Sequence, residues 1–230
     1  MGKDSFDFKQ FSVRQERCGM KVGTDGVLLG SWACNNAADL PLSILDIGTG
    51  TGIIALFLAQ RYPNSQITAI DIDPEAVSQA RENFIASPFG NRLTAIESSL
   101  QELKTDKLFD AIVCNPPFFV DSLHCPDGKR TIARHAKTLT FAELARCSSQ
   151  LLKEAGTLSV IIPSERKNDM EAEAMFSGLS TTRICFVKTK ETKPAKRVML
   201  EFSKCQKYIE NDILVIGNEK FVSLTRDFYL

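Results

Sequence analysis

The chain is short of most features that assign a class at a glance. It has two histidines, and none of its seven cysteines forms a C-x-x-C pair. No ligand set has the spacing of a tetrahedral metal site, so no metal is expected, and His124-Cys125 reads as part of a loop. The cysteines, at 18, 34, 114, 125, 147, 185 and 205, are odd in number, which argues against a disulfide framework. No apolar run approaches the length that spans a bilayer. The polar start Met1-Gly2-Lys3-Asp4-Ser5 lacks the apolar region of a signal peptide, so a cytoplasmic location is expected. Net charge is also absent: Lys plus Arg and Asp plus Glu are 28 each, and the overall balance does not announce nucleic acid. What remains is 230 residues, 43% hydrophobic and 24% charged, without repeats. That is ordinary for a soluble protein and long enough to bury a sizeable core.

The most informative segment is Asn115-Pro116-Pro117-Phe118, at the end of the apolar run Phe109-Asp110-Ala111-Ile112-Val113-Cys114. The prolines lack backbone donors and fix φ, so the chain leaves its strand rigidly, with the Asn115 amide and the Pro116 carbonyl free to accept hydrogen bonds. Phe118 can stack on a flat group. Together they describe a pocket that grips a planar amine. A plain strand end broken by proline is the competing reading.

Upstream, the strand Leu42 to Ile47 runs into Gly48-Thr49-Gly50-Thr51-Gly52 and then the apolar helix-length run Ile53 to Ala59. Glycines permit positive φ and close approach of a ligand to the backbone. Free N–H groups at the helix start are expected to favour an anionic ligand group. A second strand, Gln66 to Ile70, ends at Asp71, 19 positions beyond Gly52, about where a nucleotide-binding α/β unit places its ribose-binding carboxylate. The spacing is G-x-G-x-G and position 53 is Ile with no Lys following, so NAD and ATP both fit poorly.

Helix, strand and turn alternate as in a doubly wound sheet. Helices are expected at about 24–37, 52–61, Asp73-Pro74 to Ala86 and 140–153, with strands at 43–47, 66–70, 93–96, 109–114 and 157–162. Arg183 to Lys188 and Arg197 to Phe202 alternate around a Pro-containing turn and read as an antiparallel hairpin closing the sheet. Loop, carboxylate and Asn-Pro-Pro-Phe then fall after the first, second and fourth strands, the end where open α/β sheets bind ligands. One domain over 1–230 is expected: an N-terminal segment and helix (1–40), a parallel core (41–165), and the hairpin with its tail (166–230).

At these residues the chain resembles a family. Asp46-Ile47-Gly48-Thr49-Gly50-Thr51-Gly52 and Asp71 look like the cofactor motifs of class I S-adenosylmethionine-dependent methyltransferases, which have a Rossmann-like fold. Asn115 to Phe118 looks like the motif of members that methylate planar amino groups. Phe8 to Phe11, Met20 to Gly30, Arg130 to His135 and Pro194 to Arg197 resemble segments of the bacterial valine-tRNA adenine-N(6) methyltransferases, which act beside the anticodon. The resemblance spans nearly the whole chain.

It implies S-adenosylmethionine as cofactor and tRNA as partner. Asp46, Gly48, Gly50, Gly52 and Asp71 would hold the cofactor, with Ile72 and Leu100 about its ring. Ser99 aligns where many class I members carry an acid. Thr24 and Asp25 either reach the methionine portion or cap the first helix. Asn115 and Pro116 would accept both amine hydrogens of adenine, with Pro117 fixing the turn and Phe118 holding the base. Arg130, Arg134 and His135, in a substrate loop expected at 120–137, and Lys193, Lys196 and Arg197 would contact RNA. From Arg183 to Lys207 eight basic residues face two acidic ones, which suits a phosphate backbone or a solvated hairpin rim equally.

Other functions are compatible in part. Ribosomal guanine-N(2) enzymes share Asn-Pro-Pro-Phe, and glutamine methyltransferases usually carry Tyr at the position of Phe118. DNA adenine is disfavoured because nothing resembles a separate target-recognition domain. A nucleotide-binding module without turnover would leave Asn115, Asp71 and the three glycines intact for no purpose.

Overall fold

The computed structural model describes residues 4–18, 21–116, 139–205 and 208–229. Its order is β1 (Ser5–Asp7), β2 (Ser12–Arg14), α1 (Thr24–Trp32), β3 (Ser43–Ile47), α2 (Ile53–Arg61), β4 (Gln66–Asp71), α3 (Pro74–Ala86), β5 (Leu93–Glu97) and β6 (Phe109–Cys114). There follow α4 (Phe141–Leu151), β7 (Leu152–Pro163), α5 (Lys167–Phe176), β8 (Ser180–Lys188), β9 (Arg197–Ser203), β10 (Glu210–Val215) and α6 (Glu219–Thr225).

Eight strands form one sheet in the order β10-β8-β9-β7-β6-β3-β4-β5. All neighbours pair parallel except the two pairs that β9 makes, with β7 and β8. β9 therefore runs against the other seven. The Rossmann-like, mostly parallel architecture and the antiparallel β8–β9 pair are as the sequence indicates. The hairpin is not outermost, however: β10, left within the tail by the sequence reading, adds parallel to β8 and forms the edge.

Side chains alternate between two cores, as expected for strands covered on both faces. Ile44, Ile67, Ala111 and Val113 pack with α1, α2 and α3, while Leu45, Ile47, Ile112 and Cys114 pack with α4 and α5. The first core also ties distant parts of the chain together: the Phe57 ring of α2 stacks on Phe228 at 3.9 Å between centroids and meets Phe8 edge-on.

Two helix boundaries have local causes. Asp73 caps α3 by accepting a hydrogen bond from the Glu75 amide, with Pro74 in the first turn. α1 stops at Trp32, short of the expected residue 37. Cys34 takes positive φ (61°), and the Arg61 guanidinium donates to the carbonyls of Gly30, Ala33 and Cys34, satisfying one orphan acceptor of the last helical turn and two carbonyls just beyond it.

α1 lies close on α2 because Gly30 has no side chain. A Cβ there would sit 2.7 Å from Phe57 Cβ, an atom that cannot swing away. Gly30→Ala improves helix propensity by about 1 kcal/mol, yet overpacking costs about 1–3 kcal/mol. Denaturant unfolding should therefore find this variant less stable than the parent.

Candidate active site

β3, β4 and β6 all end at one rim, and the chain order reverses between β3 and β6, the position at which open α/β sheets form a ligand crevice. A cleft of about 700 Å³ lies there, bounded on its other side by the start of α1. Its size is that of a small-molecule site. It brings together Gly48, Gly50, Asp71, Ile72, Ser99 and Leu100, and with them Thr24, Asp25, Asn115 and Pro116. Asp46 and Gly52 stand behind the wall.

The glycine loop needs its composition at three points. Gly48, Gly50 and Gly52 have φ of 68°, 54° and 82°. At Gly48 and Gly50 a Cβ would meet nothing within 4 Å, so their role is backbone conformation and a bare surface. At Gly52 it would meet Phe84 Cε1 at 2.5 Å, so this glycine lets α3 pack under the loop.

Four N–H groups of the turn bond within the protein. Gly48 and Thr49 donate to the Ile70 carbonyl (2.9 and 3.0 Å), Gly50 to Asp71 Oδ2 (2.9 Å) and Gly52 to the Thr49 carbonyl (2.8 Å). The parallel neighbour β4 takes the first three of these donors and the turn itself the fourth, so these four amides are not open to an anion. Asp71 also accepts from the Asp73 amide through Oδ1 (3.0 Å). A carboxylate has about four acceptor sites, so further hydroxyl donors can still be met.

Asp46 is fully buried, and its Oδ2 accepts the Thr49 hydroxyl at 2.7 Å, which orients the loop from below. Burial pushes its carboxyl up to about 7, against the opposing pull of Thr49 and the Ala55 amide. Ser99 bonds Glu102 through both its hydroxyl and the Glu102 amide (2.9 and 3.2 Å). Leu100 is buried while Ile72 is half exposed on the rim.

Asn115 Oδ1 is buried and, among the described residues, has no hydrogen-bond partner. Such an acceptor is costly unless a donor arrives. Cys114 beneath it is held protonated by burial and by Asp46 and Asp71. Pro117, Phe118, Arg130, Arg134, His135 and the stretch 120–137 lie outside the described residues.

The two readings of Thr24 and Asp25 separate here. Gly23 occupies the N-cap position, with no side-chain cap bond, so neither residue caps α1. Asp25 is instead paired with Arg197 (Nε to Oδ2, 2.8 Å).

The basic run divides accordingly. Arg183 bonds Glu201 (3.1 Å) and lies over the Trp32 ring at 4.0 Å, and Lys204 donates to the Leu152 carbonyl (2.8 Å). Lys190, Lys193 and Lys196 are exposed in the β8–β9 turn. Since β8 runs parallel to β7, that turn lies on the same sheet edge as the cleft.

Three residues escaped the sequence reading. Asn83, buried on α3, accepts from Arg14 N and donates to the carbonyls of Arg14 and Thr51, pinning the N-terminal segment to the glycine loop. An Asn on the apolar face of an amphipathic helix was the available signal. Lys21 and Cys18 also line the cleft. Burial, with Asp71 and Asp73 nearby, pushes the Cys18 thiol up to about 11. Among the described residues no group of three or more His, Cys, Asp or Glu could hold a metal ion, and no helix is long and apolar enough to cross a membrane.

A crevice at the switch point, a glycine turn locked to the next strand, and an amide-proline exit from β6 define a class I methyltransferase architecture. The chain belongs to the methyltransferase small-domain family, whose model matches residues 34–184. Within it, a protein of Phocaeicola vulgatus is 45% identical over 98% of this chain and 97% of its own length. One from Porphyromonas gingivalis is 43% identical over 100% and 96%, and one from Flavobacterium psychrophilum is 43% identical over 98% and 99%. All three are named "tRNA1(Val) (adenine(37)-N6)-methyltransferase". Solved structures share the fold. A predicted O-methyltransferase from Agrobacterium tumefaciens has a TM-score of 0.67 at 18% identity, covering 89% of this chain and 96% of that one. A methyltransferase from Pyrococcus furiosus has a TM-score of 0.53 at 22% identity, covering 78% and 81%.

The buried carboxyl of Asp46 makes stability depend on pH. Its folded value, about 7, lies above the ordinary 3.8, so its contribution is fully present below pH 3.8 and is lost as pH rises through 7. Asp46→Asn keeps an acceptor for Thr49 without the charge. Unfolding free energies measured from pH 5 to 8 should shift progressively in favour of the variant; a pH-independent difference would count against a buried titrating carboxyl.

Proposed function

We propose that this protein transfers the methyl group of S-adenosylmethionine to the exocyclic amine of adenine 37, beside the anticodon of a valine tRNA. The observation that carries the reading is the buried, unpartnered Asn115 Oδ1 beside Pro116 in the cleft. The relatives' names supply the nucleotide and the tRNA.

The residues present fit the cofactor. Asp71 has acceptor capacity left for ribose hydroxyls, Gly48 and Gly50 leave the cleft surface bare, and Ile72 and Leu100 offer apolar faces for a ring. When bound, S-adenosylmethionine supplies an electrophilic methyl on a sulfonium, a good leaving group.

The protein's share is positioning and electrostatics. The lone pair of the adenine amine is delocalised into the ring, which makes the nitrogen a poor nucleophile until it pyramidalises. Asn115 Oδ1 and the Pro116 carbonyl accept its two hydrogens, turn the nitrogen toward tetrahedral geometry and stabilise the charge that develops on it. Pro117 and Phe118 complete the grip in this reading. An anticodon-loop base is single-stranded, so extruding it costs only a few kcal/mol. Lys193 and Lys196, on the cleft edge of the sheet, meet phosphates together with Arg130, Arg134 and His135, whereas Arg197 is committed to Asp25. One domain carries both tasks, and the reaction belongs in the cytoplasm with the tRNA pool.

The test is methyl transfer from labelled S-adenosylmethionine to unmodified bulk tRNA, followed by digestion to nucleosides. Labelled N(6)-methyladenosine confined to a valine isoacceptor is the expected product; methylguanosine, or label only in ribosomal RNA or protein, would reassign the substrate. Asn115→Ala should keep cofactor affinity while kcat falls by about 100-fold or more. Asp71→Ala should weaken cofactor binding by about tenfold or more, as read by calorimetry.

A further inference from the structure

We infer that Lys21 binds the carboxylate of the cofactor's methionyl arm; the inference rests on the cofactor reading above and extends it. The methionyl arm is a zwitterion, and its carboxylate needs donors or a cation. Four amides of the glycine turn are already spent: Gly48, Thr49, Gly50 and Gly52 donate to Ile70, Asp71 and Thr49. The other charged side chains on the cleft wall, Asp25, Asp71 and Asp73, are acids, which suit an ammonium and repel a carboxylate. Lys21 is the one Lys or Arg among the described residues that line the cleft. Among those residues its exposed ammonium makes no hydrogen bond or ion pair, unlike Arg197, which holds Asp25.

Its backbone is anchored nearby. The Val22 amide donates to Gln15 Oε1 at 2.7 Å, and Gly23 begins α1. Lys21 therefore stands at the α1 side of the cleft with Asp25 four residues on. With Asp71 given to the ribose and Asn115 to the reacting amine, the α1 side is where the amino acid arm is left to lie. Asp25 there faces its ammonium and Lys21 its carboxylate.

Decarboxylated S-adenosylmethionine lacks only the carboxylate and separates this role from any other. Calorimetry on the full chain should show Lys21→Gln binding S-adenosylmethionine about fivefold more weakly, the size of a partly exposed ion pair, with no loss for the decarboxylated compound. Lys21→Arg should restore most of the difference. Equal losses for both compounds, or none for either, would overturn the assignment, with retained binding of the decarboxylated compound serving as the check on folding. A variant that binds both normally but loses tRNA affinity, with a shallower salt dependence, would place Lys21 on an RNA phosphate instead. If the parent protein bound neither compound, the cofactor reading itself would fall, and Lys21 with it.

Discussion

The site depends on the lateral bond between the glycine turn and the strand beside it. Gly48 and Thr49 reach the Ile70 carbonyl, and Gly50 reaches the Asp71 carboxylate. Those bonds hold three positive-φ glycines in one conformation. They also fix Asp71 relative to the loop, so the two contacts expected for one ligand are set by a single piece of hydrogen bonding. Asp46 supports the same turn from the interior through Thr49, and Asn83 through the Thr51 carbonyl. Pre-organisation of this kind spares a ligand the cost of ordering a loop.

The arrangement also changes what the glycine turn is for. A Gly-rich loop before a helix is commonly an anion cradle, because its amides point at the ligand. Here four of the amides, those of Gly48, Thr49, Gly50 and Gly52, face the protein. The charges at the edges of the cleft are carried by side chains: carboxylates from β4 and α1, and an ammonium from the segment before α1.

The parallel core was legible because its strands are buried on both faces and read as continuous apolar runs, while Asp73-Pro74 and Gly48 to Gly52 punctuate them with unambiguous turn chemistry. The cleft residues were legible for the same reason, since motif positions at strand ends converge by topology alone. Three features were not. The early end of α1 is imposed by Arg61, 27 residues beyond Cys34. β10 is short and half exposed, so its alternation is weak against the polar tail around it. The fate of the basic run turned on partners distant in sequence: Glu201 and Trp32 for Arg183, Asp25 for Arg197 and Leu152 for Lys204. A charge pattern says where cations are and not which of them are already spoken for.

The placement of β9 has a consequence for the order in which a ribosome delivers the chain. β8 pairs only with β9 and β10, so it cannot join the sheet when it emerges and must wait for residues 197–203 to insert between it and β7. Phe57, in the helix after the glycine turn, waits longer still for Phe228. During synthesis the cofactor half can collapse early while β7 keeps an open, apolar edge. The nascent protein is therefore most vulnerable to intermolecular strand pairing in the interval between residues 163 and 203, and a pause in translation there would lengthen that exposure.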